Sequence, residues 1–460
     1  MFDKANGAGA LLTEQEARAL SEKLLSFVKA EDATVSVTSE SYSHLRFAAN
    51  AFATSGRREN RTAAVTVWLD GEGGRKRGAA STNEFDDASL RAAVEEAERL
   101  ARLSPIDREY VKSLERQTYQ PTRGYTEGTA EISPADRARK IGDIIAESEK
   151  AGVVSAGFHQ ARGQAGAFAT KNGNFGYERT SLVSLSMTAR TPDGASSGYF
   201  LRNHFDVNRL DTARVAREAI RRALEGRDAR AMEPGNYTVI LEPQAVADLL
   251  GGLAFGFNAR AAEEGRSPYS LPGGRTRVGE KIFDERLSVY SDPWNVELPG
   301  SMAAQEGLPA QKIYIVKDGV LQNLVFSRSW AARKKTEPTP GPVNTILEST
   351  APTATAEEMI RSTERGLLVS RFWYIRSTDP RTASLTRLTR DGVWYIEGGK
   401  IKHPVKNFRF NQSIIRMLAP GNVEMVGASE RVSSSEGQNA SLLPALKLKA
   451  FTFTSQSEAV

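Results

Sequence analysis

Apolar residues fall on one helical stripe in four stretches of the first half of the chain. These are EQEARALSEKLLSFVKA, FDDASLRAAVEEAERLARL, PADRARKIGDIIAESEKAG and FDVNRLDTARVAREAIRRAL. Recurrence at i, i+3, i+4 and i+7 predicts an amphipathic helix for each. Between them run alternating, β-favouring segments, the pattern of strands with one buried face. Asp86 and Asp206 stand where an N-cap accepts the unpaired amides of the second and fourth helices.

The pattern occurs twice. FATSGRRENRTAAVTVWL (Phe52–Leu69) matches FATKNGNFGYERTSLVSLSM (Phe168–Met187) in its Phe-Ala-Thr opening, its Gly-bearing turn and its Arg-Thr entry into a strand. With their flanking helices the two copies predict a duplicated helix/antiparallel-strand/helix domain over residues 1–232, of α+β class. Pro234-Gly235 then marks a turn before the strand Tyr237–Leu241.

From Gly274 onward short strands dominate, so residues 233–460 are expected to form a mostly antiparallel, barrel-like β domain. Lys317-Asp318-Gly319 and Glu397-Gly398-Gly399-Lys400 read as its hairpin turns. The Pro- and Thr-rich stretch TEPTPGPVNTILESTAPTATAEE (336–358) reads as one long irregular insert, of the kind that carries function or moves.

Composition narrows the chemistry. The chain has 460 residues, 40% hydrophobic and 25% charged, which fits a globular protein of more than one domain. No run of apolar residues reaches the roughly 20 that a membrane helix needs, and the N-terminus lacks a secretory pattern. A cytoplasmic location is expected. The absence of cysteine removes disulfides, thiolate nucleophiles and thiolate metal ligands together. A net charge of +5 comes from interspersed residues. Even the densest basic patches, Arg217–Arg230 and Arg328–Lys335, contain acidic or bulky apolar residues and read as solvated faces rather than a nucleic-acid surface.

Candidate catalytic motifs are sparse. His44, His159, His204 and His403 are scattered, with no H-E-x-x-H pair. His403, in the hairpin KIKHPVKNF, is the one histidine placed to line a substrate groove. No nucleophile elbow, phosphate loop or dinucleotide fingerprint occurs. Ser433-Ser434-Ser435 reads as a polar loop. One segment stands out: LLGGLAFGFN (Leu249–Asn258) reads as a buried helix, yet it holds Gly251, Gly252 and Gly256. Each glycine costs a helix interior about 1 kcal/mol relative to alanine.

Several long segments together resemble the TldD/PmbA (TldE) family, formerly described as modulators of DNA gyrase. They are the duplicated half, YTVILEPQAVADLL, RSPYSLPGGRTRVGEKIFDERLSVYSDP, VKDGVLQNLVFSRSWAARK and GVWYIEGGKIKHPVKNFRFNQSI. The resemblance covers nearly the whole chain and implies a protease system acting on unfolded or short peptides, among them precursors of peptide natural products. In that family a TldD-type subunit carries H-E-x-x-x-H on the helix after this strand and a cysteine near the C-terminus as a third zinc ligand. The TldE/PmbA type lacks the motif and pairs with TldD.

Laid on this chain, the ligand histidines fall on Gly251 and Gly256, the glutamate on Gly252 and the cysteine near Ser433. Glycine can neither hold zinc nor take a proton from water. The resemblance therefore implies a non-catalytic subunit with no cofactor of its own. Its expected partner is a TldD-like zinc-bearing chain, whether it forms a homodimer when alone stays open, and the Gly251–Gly256 face is expected to pack closely, against a partner or within the chain. Two alternatives stay open. One is a peptidase in its own right, with a metal site gathered from Asp, Glu and the histidines; the other is a regulator touching DNA or gyrase.

Overall fold

The computed structural model describes residues 11–250, 254–437 and 439–457. Its first half is organised by two long strands, β1 (Asp32–Ala48) and β5 (Val154–Thr170), paired antiparallel. Around them lie β2 (Ala51–Gly71), β3 (Gly74–Thr82), β4 (Ile106–Asp107), β6 (Phe175–Arg190) and β7 (Ser197–His204). The sheet order β4-β3-β2-β1-β5-β6-β7 sets the unit β1–β3, extended by the short β4, beside the unit β5–β7 across the β1–β5 seam.

The helices are α1 (Glu14–Phe27), α2 (Asp87–Leu103), the short α3 (Glu127–Ala130), α4 (Pro134–Lys150) and α5 (Thr212–Glu225). Leu20 and Leu24 of α1 and Leu90 and Val94 of α2 pack on Val35, Val37, Val65 and Val67. Ile141 and Ile144 of α4 and Val215 and Ile220 of α5 pack on Val183, Leu185 and Met187. The central strands cross between these cores. Leu45 and Phe47 of β1 enter the second, and Ala167 and Ala169 of β5 enter the first.

The duplication holds, but not in the register of the Phe-Ala-Thr match. Phe52 opens β2 after its turn, whereas Phe168 closes β5 before one. A three-residue identity cannot distinguish the two sides of a hairpin. The N-caps also divide differently. Asp86 accepts the amides of Ala88 and Ser89 at 3.0 Å and caps α2. Asp206 caps only a 3-10 turn, Val207–Arg209, and Asp211 caps α5 instead.

The second sheet starts with β8 (Gly235–Leu241), followed by the helix α6 (Pro243–Leu250). Next come β9 (Leu287–Ser291), β10 (Ile313–Lys317), β11 (Val320–Leu321) and β12 (Ile346–Ser349). The strands β13 (Arg365–Val369), β14 (Phe372–Asp379), β15 (Ser384–Thr389), β16 (Val393–Glu397) and β17 (Lys400–Pro404) follow. The sheet closes with β18 (Phe408–Ser413), β19 (Val423–Ser433) and β20 (Ala440–Gln456).

The long β20 is the hub, pairing with β8, β12, β18 and β19, and this branching curls the sheet around its core. Most pairs are antiparallel, while β8–β13 and β12–β20 are parallel. Both expected hairpin turns form. Asp318-Gly319 and Gly398-Gly399 take positive φ at both central positions, as two-residue turns between twisted strands require.

The insert 336–358 is not structureless. It contributes β12 between β9 and β20, and a Thr355/Glu358 capping box starts the helix Ala356–Arg361. The apolar pair Ile346–Leu347 drives that strand into the core despite the surrounding prolines. Among the described residues no helix is long and apolar enough to cross a membrane.

Candidate functional site

The helix α6 is buried at every position from Gln244 to Leu250, including its two polar residues. Gln244 and Asp248 are four apart and so share one face. They use it to hold the segment that follows β19. Gln244 Nε2 donates to the Ser433 carbonyl. Asp248 Oδ1 accepts the Ser435 amide at 2.7 Å, the Ser435 hydroxyl at 2.9 Å and the Ser434 hydroxyl at 3.2 Å. Its Oδ2 accepts the Phe372 amide at 2.9 Å, at the start of β14. Burial pushes the Asp248 carboxyl above its ordinary range, against the pull of those donors and of Arg371.

These contacts wall a cavity of about 790 Å³, within the roughly 300–1,000 Å³ span of pockets that enclose a small ligand. Leu250, Phe257, Tyr269, Leu347, Leu385 and Leu443 make much of it apolar. Four ionisable chains of opposite sign reach it besides the tyrosines: Asp248, Glu436, Arg266 and Arg387. Glu436 is tied to the β14 backbone by the Tyr374 amide at 2.6 Å. Arg387 is 5% exposed, and its Nε and Nη1 have no hydrogen-bond partner among the described residues. Burial lowers its pKa to about 9, and Glu436 and Asp248 oppose that fall only in part.

Of the residues singled out by sequence, Gly251 and Gly252 lie outside the described residues. Gly256 is at the cavity wall, in the 3-10 turn Ala254–Phe257. The expected helix through the glycines is therefore described only as far as Leu250. A side chain at Gly256 would meet Tyr269 Cε2 at 3.2 Å and Pro268 Cγ at 3.5 Å, so its close packing is within the chain.

Ser433 is buried at the end of β19, where its hydroxyl accepts from Asn203 Nδ2 of β7. It is the neighbouring Ser434 that faces the cavity. His403 sits on the edge strand β17, its ring 5.3 Å from that of Tyr395 and its Nδ1 3.0 Å from the Pro404 carbonyl oxygen, and it is not among the cavity-lining residues.

Sequence reasoning missed Asp248, Arg387 and the wall formed by Pro342, Asn344 and Thr345 of the insert. Asp248 had a usable signal, an acid four residues after Gln244 in an otherwise apolar helix. Arg387 had none, because both faces of the alternating SLTRLT stretch mix apolar and polar residues.

The wall does not fit a zinc ion. No imidazole lines it, the chain has no thiolate, and both Asp248 oxygens are engaged by N–H and O–H donors. Among the described residues no three His, Cys, Asp or Glu side chains converge as a metal site.

Three family models match in chain order. They are PmbA/TldA metallopeptidase domain 1 over residues 33–101, the central domain over 129–227 and the C-terminal domain over 234–455. No curated protein sequence matches the chain.

Solved structures share the fold at low identity. TldE from Thermococcus kodakarensis superposes with a TM-score of 0.83 at 18% identity, over 95% of this chain and 99% of that one. A protein described as a modulator of a DNA gyrase from Thermotoga maritima gives 0.82 at 16% identity, over 95% and 100%. One described likewise from Bacteroides thetaiotaomicron gives 0.81 at 20%, over 96% and 99%.

Proposed function

The chain belongs to the PmbA/TldD metallopeptidase family, and from that premise we propose that it is a metal-free subunit of a two-chain peptidase. In this reading a zinc-bearing relative performs the hydrolysis. This chain supplies a wall of the chamber in which unfolded or short peptides are held, and it works in the cytoplasm.

The observation that carries the reading is the donor set around α6. A zinc peptidase needs neutral imidazoles on the ion and a free carboxylate to take the proton of the attacking water. The single acid that α6 brings to the cavity, Asp248, spends its oxygens on structural donors. The cavity around it is about 790 Å³ and mostly apolar. A wall of this kind can hold a substrate without transforming it.

The test is elemental zinc in the full chain purified without a metal-binding tag, together with peptide hydrolysis by the chain alone and with a TldD-type relative. Zinc well below one per chain, and hydrolysis only in the mixture, are expected. One zinc per chain retained through dialysis would overturn the reading and make the chain a peptidase in its own right.

A further inference from the structure

We propose that Arg387 anchors the carboxylate of a short apolar peptide held inside this chain's own cavity. The inference rests on the reading of that cavity as a peptide chamber, and it adds the group by which a peptide is recognised.

A guanidinium taken out of water loses hydration that only a partner restores, and buried cations are therefore paired or hydrogen-bonded as a rule. Arg387 departs from the rule. It is 95% buried by its 5% exposure, it lines the cavity, and neither its Nε nor its Nη1 has a hydrogen-bond partner among the described residues. Of the nearby acids, Asp248 is engaged by Phe372 and Ser435 and Glu436 gives Oε1 to Tyr374, and among the described residues neither forms an ion pair with Arg387. The Tyr269 hydroxyl, of a fully buried residue on the same cavity, likewise has no partner among the described residues.

Two orphaned polar groups thus share one apolar chamber. A planar guanidinium whose buried Nε and Nη1 lack a partner among the described residues is the group that matches the two oxygens of a carboxylate. The apolar wall asks for an apolar body attached to that carboxylate, which a bare inorganic anion lacks. An extended peptide has a backbone to pair as well. Among the described residues β14, whose Ile375 and Ser377 reach the cavity, has β15 as its one ladder partner. Asp248 and Glu436 take the Phe372 and Tyr374 amides at its start. The strand beyond them leaves an edge that an extended chain can join by main-chain hydrogen bonds.

The experiment is calorimetric titration of the full chain with three probes. These are N-acetyl-Ala-Ala-Leu with a free carboxylate, the same peptide as its C-terminal amide, and N-acetyl-Leu-Glu-Leu amide. At least one acid-bearing peptide is expected to bind about ten-fold or more tightly than the neutral amide. Which one does so tells whether an α-carboxylate or an acidic side chain is read. In R387Q the discrimination is expected to vanish, and in R387K, which keeps the charge without the fork, to survive in part. Equal binding of all three probes, no binding up to millimolar peptide, or discrimination that persists in R387Q would each overturn the inference. The comparison of probes on the unmutated chain stands even if a variant fails to fold. Because binding is read without a partner, a chain that discriminates the peptides but recruits no zinc-bearing relative would fail the proposed function alone.

Discussion

Gly78 and Gly198 make the same contact in the two halves of the first sheet. A Cβ on Gly78 of β3 would lie 2.1 Å from the Ala97 carbonyl oxygen and 2.4 Å from the Ala101 nitrogen of α2. A Cβ on Gly198 of β7 would lie 2.2 Å from the Ala219 carbonyl oxygen and 2.6 Å from the Ala223 nitrogen of α5. In each repeat the helix backbone rests directly on the strand, and only glycine leaves room for it.

Neither backbone can step aside without moving its whole helix. G78A and G198A are therefore each expected to lower unfolding free energy by about 3 kcal/mol, the upper end of ordinary overpacking. Gly142, inside α4 with nothing within 4 Å of its would-be Cβ, is the control. G142A should stabilise by about 0.5–1 kcal/mol. Urea denaturation of the three variants measures this, and a G78A protein as stable as the parent would refute the contact.

His159 gives a pH dependence. It is fully buried in β5, both ring nitrogens lack partners among the described residues, and burial beside Arg137 and Lys140 lowers its pKa to about 4. A depressed histidine pKa means the unfolded chain takes up the proton first. Stability is then complete above the ordinary value near 6.5 and is lost as pH falls through about 4. The loss from this residue is on the order of 3 kcal/mol. His204 shifts in the same direction, also to about 4, so H159L should reduce the slope between pH 6.5 and pH 4 without removing it. Denaturant midpoints across that window decide the matter.

Asp248 joins α6, β14 and the segment after β19. D248A leaves the buried Phe372 amide and the half-buried Ser435 amide without acceptors, at about 1–3 kcal/mol each. A loss of roughly 3–5 kcal/mol is expected, with faster proteolysis around residues 433–437. A D248A protein with unchanged denaturation would show that these bonds contribute nothing net.

Arg222 of α5 reaches across to Glu242, between β8 and α6, while its Nη1 donates to the Tyr199 carbonyl at 2.7 Å. The Arg222 side chain is almost wholly buried. E242Q strands that charge and should cost about 3–5 kcal/mol, the range for breaking a buried pair from one side. The double variant R222M/E242L should recover most of the loss. A double variant no better than E242Q would assign the effect to packing instead.

Much of the molecule was legible in order. Periodicity located α1, α2, α4 and α5 because each has a single apolar stripe to bury, and the positive-φ turn residues at 318–319 and 398–399 announced their hairpins. The strand in the Pro/Thr-rich insert was hidden because β12 has only four residues. Its pairing partners, β9 and β20, lie far away in sequence.

By itself the sequence determined the duplicated α+β half, the β-rich second half and the family, since all three depend on local spacing and on the order of long segments. It also determined that Gly251, Gly252 and Gly256 bring no metal ligand, because that follows from side-chain chemistry alone. Only the tertiary structure decided that Asp248 is a clamp, that His403 lies on an outer edge, and that Arg387 turns into a chamber. Those roles depend on which surfaces β20 brings together when it pairs with four other strands, and no local pattern encodes that meeting.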